Sequence, residues 1–176
     1  MKKAVLLFCL LVILISITSC AEQTTNIDLD FSAADVESVD LYYYVSVPIS
    51  EEFKAITSDN PNSDRPTPYF PTDTRKKVIT KSADIETIIN TLTAIDVMQG
   101  NYEPTEEFTV ISFRFNLVAG GTIEIIHNNY GVKKGQIMSS YNFDYITKSD
   151  VCGLWDDFTT YNVSDAEVDE LPYYEK

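Results

Sequence analysis

The side chains of this chain with chemistry to offer are one imidazole, a few thiols and many carboxylates. His127 is the sole histidine and ends the run TIEIIH on the parity that turns inward. A zinc site or a catalytic dyad would have to draw its partners from distant segments, because no HxxH, HExxH or CxxC spacing occurs. The expectation is a hydrogen-bonded position at the rim of the core. Asp165, Glu167 and Asp169 alternate as in a calcium loop, but Glu170 stands where that loop needs glycine and Lys176 where it needs a bidentate glutamate. Glu106 and Glu107, like Asp156 and Asp157, are adjacent carboxylates. Glycoside hydrolysis needs two carboxyls facing each other across a cleft, whereas sequence neighbours point apart on a strand or a helix. With no GxSxG elbow and no glycine-rich phosphate loop, the reading is no catalytic residue, no metal and no cofactor.

The aromatic residues offer recognition instead. There are 11 tyrosines against one tryptophan, so the bias is toward rings that carry a hydrogen-bonding tip. In VESVDLYYYVSVP, Val39, Leu41, Tyr43, Val45 and Val47 alternate with Asp40, Tyr42, Tyr44 and Ser46. Tyr42 and Tyr44 therefore fall on the strand face that the core does not claim, as Arg114 does in FTVISFRFNL and Glu124 in TIEIIH. If these strands are neighbours, the four residues form a platform of rings and charges suited to a sugar or a peptide. The competing arrangement has the 48–74 loop covering the rings, and covered aromatics are the commoner case.

The ends of the chain bear on where such a platform would work. Residues 1–19 carry two lysines and an apolar stretch from Ala4 to Ile15, and read as a signal peptide. The stretch is shorter than the roughly 20 residues of a spanning helix. Ile17-Thr18-Ser19-Cys20 resembles the bacterial lipobox, which implies lipidation of Cys20 after cleavage and an extracytoplasmic protein lipid-anchored to a bacterial membrane. Cleavage removes Lys2, Lys3 and no acid from 13 basic and 27 acidic residues, taking the formal charge from −14 to −16. Such a chain repels phosphates, so no nucleic acid is expected as partner. Cys9 leaves with the signal and Cys20 is lipidated, so Cys152 is left as a lone thiol, without a disulfide partner and expected to be buried as a small hydrophobe.

The elements follow from periodicity. Residues 20–36 read as a polar, lipid-anchored tether, 37–160 as a single domain and 161–176 as a frayed acidic tail. The 48–74 segment holds five of the seven prolines and reads as a long loop. KKVITK reads as a short strand. Ile85, Ile88, Ile89, Leu92 and Ile95 mark one face of a helix. Ile111, Phe113, Phe115, Ile123 and Ile125 line the inner face of a hairpin turned by Gly120 and Gly121. QIMSSY and NFDYIT follow, and a last helix is expected from Ser149, carrying Val151, Leu154, Trp155 and Phe158. The tetrapeptide ITKS occurs at 79–82 and again at 146–149, and is read as two strand-to-helix junctions with Ser82 and Ser149 as caps. The fold expected is α+β, an antiparallel sheet of four or five strands with two helices packed on one face.

The strand VDLYYYVSV, the unit KKVITKSADIETIINTLTAI, the hairpin FRFNLVAGGTIEI and the closing YITKSDVCGLWDDF together resemble small lipoproteins of Gram-positive bacteria grouped as domains of unknown function. The resemblance covers most of residues 37–160. It implies an extracytoplasmic α+β domain and supplies no site residues. The functional expectation is a non-enzymatic binding module at the cell envelope, with a protein, peptide or glycan as ligand. A hydrolase or other enzyme acting on envelope material through scattered carboxylates is the alternative.

Overall fold

The computed structural model describes residues 24–48, 69–100, 107–129, 135–140 and 144–172. The expected signal segment, Cys20 and the proline-rich stretch 49–68 lie outside them. Among the described residues nine strands form a single antiparallel sheet: β1 (Thr25–Asn26), β2 (Val36–Pro48), β3 (Tyr69–Ile79), β4 (Asp96–Gln99), β5 (Phe108–Leu117), β6 (Thr122–Asn129), β7 (Gly135–Ser139), β8 (Asp144–Thr147) and β9 (Ser164–Asp165). Their spatial order is β1-β4-β8-β7-β6-β5-β2-β3-β9. Among the described residues there are two α-helices, α1 (Ser82–Ala94) and the single turn α2 (Leu154–Asp157). This overturns the α+β expectation of four or five strands beneath two packed helices: the molecule is mostly β, and one of its helices is four residues long. None of the helices among the described residues is long and apolar enough to cross a membrane.

The centre of the sheet forms as its alternation dictates. β2 pairs with β5 and β5 with β6, so that Leu41, Phe113 and Ile125 lie side by side, as do Val39, Phe115 and Ile123. All but Ile123 of these six are fully buried, and it is 5 % exposed. Gly120 and Gly121, both at φ 89°, turn the β5–β6 hairpin, a backbone that side chains with a Cβ resist. On this face sit Ile85, Ile88, Ile89 and Leu92 of α1, together with Val151, Leu154, Trp155 and Phe158. Lys77, facing the same way from β3, is buried with its Nζ 4.3 Å from the Trp155 ring centroid and donating to the Trp155 carbonyl.

Three local expectations change. Ser82 does not cap α1, since Lys81 is the N-cap residue. The Tyr161 hydroxyl accepts the Lys81 N–H at 3.2 Å and donates to Asp84 Oδ2 at 2.7 Å, so a distant side chain orders this helix start. No helix begins at Ser149. Asp150 Oδ1 accepts the Cys152 N–H, and residues 151–156 advance by i→i+3 turns, which reproduce the apolar spacing of a helix over a short span. The tether expected over 20–36 belongs to the folded domain from residue 24 onward: Ile27 is buried, and Phe31 lies 5.1 Å, ring to ring, from Phe115. Part of the 48–74 loop is strand, because β3 starts at Tyr69 and pairs with the end of β2.

Candidate functional site

The sheet has a second face, and the four residues expected to form a platform meet on it. Tyr42, Ser112 and Ile126 are neighbours in register, as are Asp40, Arg114 and Glu124. The Arg114 guanidinium is the hub. Its Nε donates to Glu124 Oε1 at 2.8 Å, its Nη1 to the Tyr42 hydroxyl at 2.9 Å and its Nη2 to the Glu170 carbonyl at 2.8 Å. Charge-assisted bonds from a planar fork fix direction as well as position. Lys76 lies beside it, 3.3 Å from Asp40 and 3.8 Å from Glu170, with its Nζ 5.2 Å from the Tyr42 ring centroid. Burial raises the Tyr42 pKa, an effect that Arg114 opposes.

This platform is not displayed. Tyr42 is 0 % exposed and Tyr44 5 %. The cover comes from the C-terminal segment, which the sequence reads as frayed. Ser164 and Asp165 pair with Lys76 and Arg75 as the ninth strand, the Ala166 N–H donates to the Thr74 carbonyl, and the Thr74 hydroxyl donates to the Ala166 carbonyl. Ala166 and Leu171 then drop into a small apolar cluster with Tyr42, Tyr44, Phe108, Val110 and Ile126. The edge is shaped for this strap. Two residues of β3, Asp73 and Thr74, oppose the single Tyr44 of β2, and Asp73 takes φ 52°. A bulge of this kind bends the strand and re-aims its groups.

A second cluster lies on the helix face. His127 on β6 is flanked in register by Ile111 and Ile137 and is 0 % exposed. It is not a hydrogen-bonded rim residue: both ring nitrogens lack a partner. An unpaired buried polar atom costs about 1 to 3 kcal/mol, so the ring is held there by packing. Its neighbours come from the segment after β8. Asp150 Oδ1 stands 4.0 Å from His127 Nε2, and the ligand-capable atoms of His127, Asp150 and Cys152 all lie within 4.8 Å of one another. Gly135 makes the approach possible. It sits on β7 between Asn129 and Thr147, and a Cβ there would come within 2.7 Å of His127 Cε1 and 2.6 Å of the Asn128 carbonyl. Burial lowers the His127 pKa to about 4 against the attraction of Asp150, leaving the imidazole neutral at neutral pH. Burial, followed by the charge and hydrogen bond of Asp150, pushes the Cys152 thiol well above its ordinary range. Cys152 is buried and free, as its apolar surroundings imply.

Of the carboxylate doublets, Asp156 and Asp157 are exposed on α2, Glu107 is exposed just before β5, and Glu106 lies outside the described residues. A shallow open depression along α1, lined in part by Thr87, Asn90, Thr91 and Asp96, gathers no titratable cluster. The sequence missed both the strap and the His127 group. The signal for the first was Ala166 and Leu171, isolated apolar residues in an acidic tail, and for the second the D-x-C spacing of Asp150 and Cys152. Comparison with family models, with curated proteins and with solved structures gives no match.

Proposed function

We propose that this chain is a lipid-anchored extracytoplasmic binding module, without catalytic activity, whose Tyr42, Tyr44, Arg114 and Glu124 face takes an extended peptide of an envelope partner. The lipobox-like Ile17-Thr18-Ser19-Cys20 supports the anchor and the location. The observation that carries the binding reading is how the chain's own tail occupies the face. The tail adds a strand to the β3 edge, places two apolar side chains in a shallow cluster and has one backbone carbonyl gripped by Arg114. Strand addition of this kind draws affinity from main-chain bonds and selectivity from alternate side-chain sites. The tail is acidic and the face offers Lys76 and Arg114 in an otherwise acidic protein, so the segment that fits is acidic as well.

The test uses a chain ending at Asn162 and a labelled peptide of residues 162–176. Fluorescence anisotropy should show saturable binding to the truncated chain and little to the full chain, whose own strap competes. Arg114→Ala in the truncated chain should weaken binding about tenfold, the equivalent of one charge-assisted bond of roughly 1.5 kcal/mol. Absence of binding, or binding indifferent to Arg114, would sink the reading. A cell-wall glycan that bound in place of the peptide would redirect it.

A further inference from the structure

We propose that His127, Asp150 and Cys152 form a site for one zinc-class divalent metal ion, on the face of the sheet opposite the tail. Three observations carry it. The donor set is one imidazole nitrogen, one carboxylate and one sulfur, all within 4.8 Å of one another, and it is the one group of three or more such side chains with that spacing among the described residues. Nitrogen and sulfur together select zinc or its soft neighbours over calcium and magnesium, which prefer oxygen throughout. The imidazole is fully buried with neither nitrogen hydrogen-bonded, and its Nε2 is directed toward Asp150. Coordination would satisfy one of those two atoms. Finally, Gly135 leaves the gap through which the ring crosses β7 toward the 150–152 segment; any larger residue would fill it.

The dimensions and charges suit such an ion. A tetrahedral ion with bonds of about 2.0 to 2.3 Å spaces its ligand atoms roughly 3.3 to 3.8 Å apart. The 4.0 Å between His127 Nε2 and Asp150 Oδ1 closes with a small rotation of Asp150, whose side chain is 48 % exposed. That exposure also gives the ion its way in from solvent, while His127 and Cys152 hold it from the core side. On binding, Cys152 releases its proton to water and sulfur takes the metal in its place. One dication with one thiolate, one carboxylate and a neutral imidazole sums to zero, so no net charge is left in the apolar interior. Three protein ligands leave a fourth position, as in zinc sites that accept water or a substrate atom.

The experiment uses the full chain, purified in detergent, stripped with chelator and titrated with cobalt(II) as a visible stand-in for zinc. One equivalent should bind, with a thiolate-to-cobalt charge-transfer band and the intense d–d bands of a tetrahedral ion, and zinc should displace it. Cys152→Ser should abolish the charge-transfer band. A charge-transfer band that survives this change arises from another sulfur and overturns the assignment. Asp150→Asn, at a half-exposed position, keeps the fold testable and should weaken binding at least about a hundredfold, the upper range for losing even an outer-shell partner. Near-ultraviolet circular dichroism of Trp155 should match the parent in both metal-free variants. A parent without a thiolate band at one equivalent, or binding that Asp150→Asn leaves unchanged, would overturn the site.

Discussion

The two faces of the sheet are covered in different ways. On the helix face, residues from β2, β3, β5, β6, β7, α1 and the 151–158 segment interlock in one large apolar cluster. On the opposite face a short strap places Ala166 and Leu171 on a few residues and ties them down with a two-residue strand, one arginine fork and one lysine. Apolar area sets how hard a cover is to remove, at roughly 25 cal/mol per Å², while polar ties mainly set where it sits. The first face is therefore a core with a polar cluster that opens to solvent at Asp150. The second is the proposed binding face, under a cover of limited apolar area.

The sharpest way to break this contrast is to cut a large side chain from each face. Phe113→Ala should cost about 3 to 5 kcal/mol in urea unfolding, because the whole domain loses packing. Leu171→Ala should move the same transition by less than about 1 kcal/mol while speeding proteolysis within residues 163–172, since a local opening is all it promotes. Equal losses from the two substitutions would make the strap a core element.

Acid should act on the helix face next in size. The folded protein holds His127 near a pKa of about 4 and the unfolded chain near 6.5, so between these values the unfolded state binds more protons. Stability of the metal-free protein should fall as pH drops from about 6.5 to about 4, by about 3 kcal/mol from this group, and level off below. Asp150 and Cys152 are titratable groups beside the ring. Subtracting the urea midpoints of His127→Gln over the same pH range isolates the effect from the protein's many carboxylates. A parent and variant with parallel pH profiles would contradict it.

Gly135→Ala should destabilise the fold by about 1 to 3 kcal/mol, because its Cβ meets a backbone carbonyl as well as the imidazole. The same change should remove cobalt binding. Arg114→Met should be the mildest, about 1 kcal/mol, and confined to strap opening. Detection of that change in the global urea midpoint instead would place Arg114 in the core's energetics.

Much of the helix face was legible in the sequence. The alternation of Ile111, Phe113 and Phe115 and the helical spacing of Ile85, Ile88, Ile89 and Leu92 each report a long element with one apolar side. The fold class was not legible. β1, β4 and β9 have two to four residues, too few to show a period, and exist because neighbouring strands offer them an edge. The spacing of Val151, Leu154, Trp155 and Phe158 suggested a helix where successive turns around Gly153 suffice. Tyr42, Tyr44, Arg114 and Glu124 were placed together correctly by strand parity, but a cover from residues 164–171 depends on a contact about 90 positions away. His127 and Cys152 were each read alone. Their meeting depends on the register of β6, β7 and β8 and on the missing side chain of Gly135, and no spacing rule encodes that.

The most direct measurement is native-state hydrogen exchange, comparing the Ala166 amide, bonded to Thr74, with amides of β2 and β5 at the sheet centre. A cover that comes away while the core stays folded predicts that Ala166 exchanges through a local opening several kcal/mol below global unfolding, with little dependence on denaturant. Exchange of Ala166 only through the global transition, with the same free energy and denaturant slope as β2 and β5, would contradict the account and make the tail a permanent ninth strand.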